Sequence, residues 1–123
     1  MPSTVQPTII TAHLERMLAF YGGLLGAKET QRVPPEGPVF YVGLRIGDTD
    51  LGLVSDESVA EAPVGRILLS VEVSDVDALL PRVTGLGGEV TSGPNDMPWG
   101  QRVAHIKDPD GNPVNLTTTT GPT

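Results

Sequence analysis

The sequence predicts an α+β fold built from two βαβββ modules, because one order of elements occurs twice in its 123 residues. In each half, a short apolar strand precedes an amphipathic helix that a glycine ends. The two glycine segments, Leu25-Gly26-Ala27-Lys28 and Leu86-Gly87-Gly88-Glu89, occupy the same place in their halves. A fixed offset across several elements favours duplication over coincidence. We expect one domain, residues 1–123, with modules at about residues 5–58 and 66–118.

The first module begins with a short apolar strand, Thr8 to Ala12, and a helix, Leu14 to Leu25. Gly26 suits the left-handed residue that commonly ends a helix. Extended segments follow at Val39 to Ile46 and Leu51 to Val54. The helix buries apolar side chains at helical spacing, namely Leu14, Met17, Leu18, Tyr21 and Leu25.

The second module begins with a strand at Ile67 to Val73, and Ser74 is the expected N-cap of the next helix. Pro81 lies inside that helix, where it should kink the helix or shift its start. Gly87-Gly88 ends the helix. The buried stripe comprises Val76, Leu79, Leu80, Val83 and Leu86, and the later strands are expected near Glu89 to Thr91, Val103 to Lys107 and Pro113 to Thr117.

Composition excludes several classes of protein. The chain has no cysteine, so it forms neither a disulfide framework nor a thiolate metal site. Its net charge of −7 argues against nucleic acid as a partner. No apolar run approaches the ~20 residues that span a bilayer, and the N-terminus lacks the pattern of a signal peptide. We therefore expect a cytoplasmic protein without a membrane or nucleic-acid partner.

The segment Pro98 to Leu116 reads as strand, tight turn, strand. In the turn Asp108-Pro109-Asp110-Gly111, proline fixes φ, the aspartates bond nearby amides and glycine accepts positive φ. DPDG followed by a strand resembles the closing hairpin of the vicinal-oxygen-chelate superfamily, which holds glyoxalase I, extradiol dioxygenases, fosfomycin-resistance enzymes and bleomycin-binding proteins. The helix segment LERMLAFYGGLLG is similar to the first helix of that family.

The resemblance implies a curved mixed sheet around a cavity, commonly completed by a homodimer. It also places four metal-ligand positions on this chain, at Gln6, Gly52, Arg66 and Asn115. Gly52 offers no side chain, Arg66 would repel a cation, and Asn115 supplies only an amide oxygen where metal-using members have glutamate. We therefore predict no metal and no cofactor. A guanidinium in the cavity needs a partner, for which the candidates are Asp50, Glu72, Asn115 or an anionic or carbonyl group of the ligand.

Two side chains of the second module have both a structural and a functional interpretation. Val103, His105 and Lys107 share one strand face, so His105 is either a half-buried strand histidine or a ligand contact. Trp99 either packs on the sheet or, as the resemblance implies, lies over the cavity beside Met97.

The sequence leads to a metal-independent protein that binds and sequesters an antibiotic or natural product, with an aromatic or cationic ligand and a homodimeric assembly. One alternative is a metal-dependent lyase or dioxygenase whose ligands are misaligned, and another is a metal-free enzyme with His105 as base. The predicted ligand-binding residues are Phe40, Val42, Leu44, Asp50, Arg66, Met97, Trp99, His105 and Asn115.

Overall fold

The computed structural model describes residues 6–59 and 67–120 of the chain. The chain divides into two compact units, residues 1–62 and 63–123. Each unit contains one helix and one four-stranded sheet. The predicted α+β class and the two βαβββ modules are thereby confirmed, whereas the enclosed cavity and the joining of both modules in one domain stay predictions.

The first unit contains the elements β1 (Thr8–Thr11), α1 (Leu14–Leu25), β2 (Lys28–Val33), β3 (Tyr41–Ile46) and β4 (Thr49–Ser55), followed by a 3-10 turn at Glu57–Val59. Its strands are ordered β1-β4-β3-β2. Strand β1 pairs with β4 in parallel, and the other neighbours are antiparallel. The sheet is therefore mixed, and its first and last strands in space are β1 and β2.

Helix α1 has the predicted bounds, and Gly26 ends it with a left-handed φ of 69°. The buried stripe is shifted from the predicted one, because Phe20 and Leu24 are buried while Leu18 and Leu25 are only half-buried. The Phe20 and Tyr21 rings meet edge to face with centroids 5.1 Å apart. Both rings are fully buried, at 0% exposed.

The second unit contains the elements β5 (Leu69–Glu72), α2 (Val76–Gly85), β6 (Glu89–Asp96), β7 (Gln101–Lys107) and β8 (Pro113–Thr119). Its strand order, β5-β8-β7-β6, repeats that of the first unit, and β5 pairs with β8 in parallel. Within the described parts of the chain, no helix is long and apolar enough to cross a membrane.

Strand β2 is an element that the sequence analysis missed. Its sequence, KETQRV, has no apolar alternation, and four of its six residues are exposed. Strand β2 lies at the end of its sheet, and within the described residues it pairs with β3 alone. A strand that buries little apolar surface leaves no hydrophobic pattern from which to predict it.

The start of α2 also differs from the prediction. Asp75, not Ser74, is the N-cap, and its carboxylate accepts a hydrogen bond from the backbone N–H of Ala78 at 3.3 Å. The helix runs from Val76 through Pro81, which is exposed. Pro81 therefore lies on the side of the helix that water reaches.

The DPDG turn is held by one carboxylate. Asp108 is only 3% exposed, and its oxygens accept hydrogen bonds from the backbone N–H groups of Asp110 and Asn112, both at 3.0 Å. The Asn112 side-chain amide donates a third bond at 2.9 Å. Gly111 has a φ of 86°, as the turn prediction requires. The hydrogen bonds of the buried Asp108 side chain thus fix the turn and, with it, the register between β7 and β8.

Candidate ligand-binding site

The sheet of the second unit has two different faces. Alternation along β7 and β8 places Ala104, Ile106, Val114 and Leu116 on one face, and all four are buried. This face packs on α2, because Arg102, which has the same alternation, forms a salt bridge to Asp77 of α2 at 3.1 Å. The opposite face, called the polar face below, carries Ser70, Glu72, Gln101, His105, Asn115 and Thr117.

His105 and Asn115 form a pair at the centre of the polar face. They are directly opposed in the register of β7 and β8, and Nδ1 of His105 lies 2.6 Å from Oδ1 of Asn115. An amide oxygen only accepts hydrogen bonds, so Nδ1 must carry the proton. In the neutral ring, Nε2 is then an acceptor. The pair therefore holds the imidazole in one orientation and one tautomer.

Glu72 adds a negative charge to the polar face. Its carboxylate accepts hydrogen bonds from the Thr119 backbone N–H and the Thr117 hydroxyl, both at 3.0 Å, and from the Thr119 hydroxyl at 3.2 Å. These bonds, with the Thr119 backbone N–H as the largest contribution, hold the pKa of Glu72 below its ordinary value. Glu72 thereby links β5 to the end of β8 in its ionised form.

Replacing Glu72 by glutamine is expected to lower the free energy of unfolding at pH 7 by roughly 0.5 kcal/mol, a small value because the group is exposed. A depressed pKa stabilises the fold above the ordinary glutamate pKa of about 4.3. That contribution is lost as the pH falls through the pKa of the folded state. Urea unfolding at several pH values should therefore show the difference between the two proteins shrinking in acid.

Glu89→Gln is the matched control, because the Glu89 side chain makes no hydrogen bond within the described residues. A Glu72→Gln difference that stayed constant from pH 7 to pH 3 would show that the bonds to Thr117 and Thr119 do not depend on ionisation.

Trp99 and Met97 lie in the turn between β6 and β7. The indole N–H of Trp99 donates to the side-chain oxygen of Gln101 at 2.8 Å, while the ring stays 60% exposed. Gln101 alternates with Val103 and His105, so its side chain belongs to the polar face. Met97 is half-buried, and its backbone N–H bonds to the Gln101 carbonyl. The tryptophan is thus anchored at the end of the polar face.

The predicted residues of the first unit lie in different surroundings. Val42 and Leu44 are 0% and 3% exposed and belong to the core, which leaves them little surface for a ligand. Phe40 is 56% exposed, just before β3. Asp50 forms an exposed salt bridge with Arg45 at 2.9 Å. Of the predicted set, the structure brings together His105 and Asn115, with Trp99 and Met97 at the end of the same sheet.

The two metal-ligand positions of the first unit lie together but do not suit a metal. Gly52 contributes no side chain, and the Gln6 amide nitrogen donates to the hydroxyl of Tyr41 at 2.9 Å. Tyr41 is a residue that the sequence analysis did not select, since nothing in a strand sequence shows which glycine an aromatic ring will cover.

The described metal-ligand position of the second unit, Asn115, does not suit a metal either. The Asn115 oxygen is bound to His105, and the residue beside Asn115 in β5 is Ser70. Arg66, predicted for this place, lies outside the described residues. Among residues 6–59 and 67–120, no group of three or more His, Cys, Asp or Glu side chains could hold a metal ion. This donor set does not fit a divalent cation.

A cavity of about 660 Å³ opens in the first unit at the start of α1. None of the predicted site residues that the structure describes lines this cavity. Its charged lining residues are Glu15, Arg16 and Arg32.

Comparison with known proteins identifies the family. Residues 4–116 match the family model described as Glyoxalase/Bleomycin resistance protein/Dioxygenase superfamily. The chain belongs to this superfamily. Its membership agrees with the resemblance that the DPDG turn and the first helix indicated, and with two modules of the same strand order.

Solved members of the superfamily share the fold at low sequence identity. A family enzyme from Burkholderia phytofirmans superposes with a TM-score of 0.78 at 22% identity, covering 93% of this chain and 96% of that one. The fosfomycin resistance protein FosX from Mesorhizobium loti gives 0.72 at 22% identity, covering 98% and 94%. An uncharacterised protein of Mycobacterium bovis is 27% identical over 122 residues, which cover 91% of this chain and 80% of that protein.

Proposed function

We propose that this protein binds an antibiotic or a related natural product without a metal and acts by sequestering it. The observation that carries the proposal is the His105–Asn115 pair, which presents an oriented, half-buried imidazole on the polar face. The described side-chain hydrogen bond of His105 goes to a neutral amide, and no acidic side chain is hydrogen-bonded to the ring within the described residues. Binding therefore explains the pair better than catalysis.

The polar face offers three kinds of contact to a ligand. Nε2 of His105 accepts a hydrogen bond from a ligand N–H or O–H, and the exposed Trp99 ring offers a surface for stacking. Glu72 supplies a negative charge on the same face. Together with the net charge of −7, this combination favours an aromatic ligand that carries donors or a positive charge.

The comparisons support an antibiotic as the ligand. The family description includes bleomycin resistance, and one protein of the same fold is a fosfomycin resistance protein. We include a homodimer in the proposal, because Ile10, Phe40, Ile67, Leu68 and Trp99 are each at least half exposed. Where exposed apolar side chains form a contiguous patch, the patch commonly marks a partner or a ligand.

The test is isothermal titration of the purified, EDTA-dialysed protein with bleomycin, and separately with fosfomycin. We expect saturable binding of bleomycin without added metal. His105→Ala should weaken this binding by roughly 3- to 10-fold, the loss of one hydrogen bond. His13→Ala is the matched control, because His13 is the other histidine of the chain and its side chain makes no hydrogen bond within the described residues.

Two results would contradict the proposal. If His105→Ala and His13→Ala both bound bleomycin like the native protein, the polar face would not be the binding site. If binding required stoichiometric Ni²⁺, Zn²⁺, Mn²⁺ or Fe²⁺, the metal-dependent lyase or dioxygenase would replace the sequestration protein as the better reading.

A further inference from the structure

Two glycines of the first unit create a seat for an aromatic ring. Gly43 of β3 and Gly52 of β4 are directly opposed in the sheet, and both are buried. The Tyr41 side chain covers them. A Cβ atom on Gly52 would lie 3.0 Å from Cε1 of Tyr41, and one on Gly43 would lie 3.4 Å from its hydroxyl oxygen. A larger residue at Gly52 would therefore require the ring, and the Gln6 and Thr8 side chains beside it, to shift by a few tenths of an ångström.

The groups around the Tyr41 hydroxyl are uncharged. The Gln6 amide donates to this hydroxyl at 2.9 Å. The hydroxyls of Thr8 and Thr30 approach the same two glycines, at 3.1 Å and 3.0 Å from the added Cβ positions. Because the Gln6 bond uses an oxygen lone pair, the phenol keeps its own proton to donate. Within residues 6–59 and 67–120, no acceptor for that proton is present.

Apolar side chains lie beside the ring. Val54 of β4 is directly opposed to Tyr41 of β3, and Ile10 of β1 is directly opposed to Val54. The three side chains therefore form one row across the sheet on the same face. Ile10 is 54% exposed, which leaves apolar surface in the same row as Tyr41.

We propose that Tyr41 is a ligand-binding residue, whose hydroxyl, held by Gln6, donates a hydrogen bond to an uncharged oxygen acceptor such as an amide oxygen. The ring of the ligand packs on Ile10 and Val54. This site goes beyond the proposed function, because it uses no residue of the polar face. It also gives the first unit's metal-ligand positions, Gln6 and Gly52, a role that needs no metal: Gly52 makes room for the ring and Gln6 orients it.

The probe is benzamide, which combines a planar apolar ring with an uncharged amide oxygen. Toluene, which has the ring but no acceptor, is its control. Titration of the full chain labelled with [13Cε]tyrosine should shift the Tyr41 resonance saturably with benzamide and not with toluene. The chain contains two tyrosines, and Tyr21 is 0% exposed, so Tyr21 serves as an internal control that should not move.

Two variants test the Tyr41 hydroxyl and the space that the glycines leave for its ring separately. The benzamide affinity of each variant is measured from the backbone amide shift of Val54. Tyr41→Phe keeps the ring and removes the donor, and should weaken benzamide binding roughly fivefold. Gly52→Ala should weaken it at least as much by displacing the ring. Gly85→Ala is the matched control, because no atom lies within 4 Å of its added Cβ, and it should bind like the native protein.

Native affinity in Tyr41→Phe, an equal shift at Tyr21, an equal response to toluene or no saturable shift with benzamide would each overturn this proposal. The result is independent of the polar face, since bleomycin binding by His105→Ala and benzamide binding by Tyr41→Phe are separate measurements.

Discussion

Replacing Gly93 by alanine is expected to destabilise the second unit by roughly 2–4 kcal/mol. Gly93 lies in β6 where the register with β7 shifts, and its φ is +91°, a conformation that L side chains rarely adopt. An added Cβ would lie 2.8 Å from the Val103 carbonyl oxygen and 3.1 Å from Cα of Ala104. Both atoms are backbone, so relief would require β7 itself to move.

The measurement is urea unfolding followed by circular dichroism, with Gly85→Ala as the control. Gly85 ends α2 with open space around it, so alanine there should change stability by less than about 0.5 kcal/mol or increase it. A loss below about 0.5 kcal/mol for Gly93→Ala would mean that β6 can relax without disturbing β7.

Replacing Asp108 by alanine is expected to cost roughly 2–3 kcal/mol, because the change removes acceptors from donors in a buried turn. The backbone N–H groups of Asp110 and Asn112 and the Asn112 side-chain amide all bond to this one carboxylate. With Asp108 only 3% exposed, water has little access to replace the lost oxygens.

Asp110→Ala is a demanding control, because it removes the same charge from the same turn. The Asp110 side chain makes no hydrogen bond within the described residues, and the residue is partly exposed. We expect a change of less than about 0.5 kcal/mol there. Equal losses for the two aspartates would show that turn charge, rather than the Asp108 hydrogen bonds, stabilises the hairpin.

The sequence predicted those elements whose formation depends on residues that are close together in the chain. The spacing of apolar residues and Gly26 gave both ends of α1, and the DPDG turn predicted the hairpin of β7 and β8. Strand β2 could not be predicted in this way, because its stability comes from backbone pairing with β3 and not from buried side chains. The length of β6 depends likewise on register shifts that one strand's sequence does not contain.

In the candidate site, too, features set within one strand were predicted, whereas features that depend on two strands were not. Alternation along β7 predicted the face on which His105 lies, but the Asn115 partner depends on the register between β7 and β8. Val42 and Leu44 were predicted as cavity walls from their apolar character, which equally suits the core that contains them. Tyr41 was missed because its seat combines one glycine from each of two strands.

One edge strand of each sheet, β2 in the first and β6 in the second, has a bearing on aggregation. An unpaired strand edge is a template on which another chain can add. Strand β2 presents Lys28, Glu29 and Arg32 along its length. Strand β6 contains Pro94, which has no N–H to donate to an added strand. It also carries two register shifts against β7, and such irregularities bend a strand. The charged residues of β2 leave no hydrophobic pattern from which to predict the strand. The same charges disfavour growth of the sheet into fibrils.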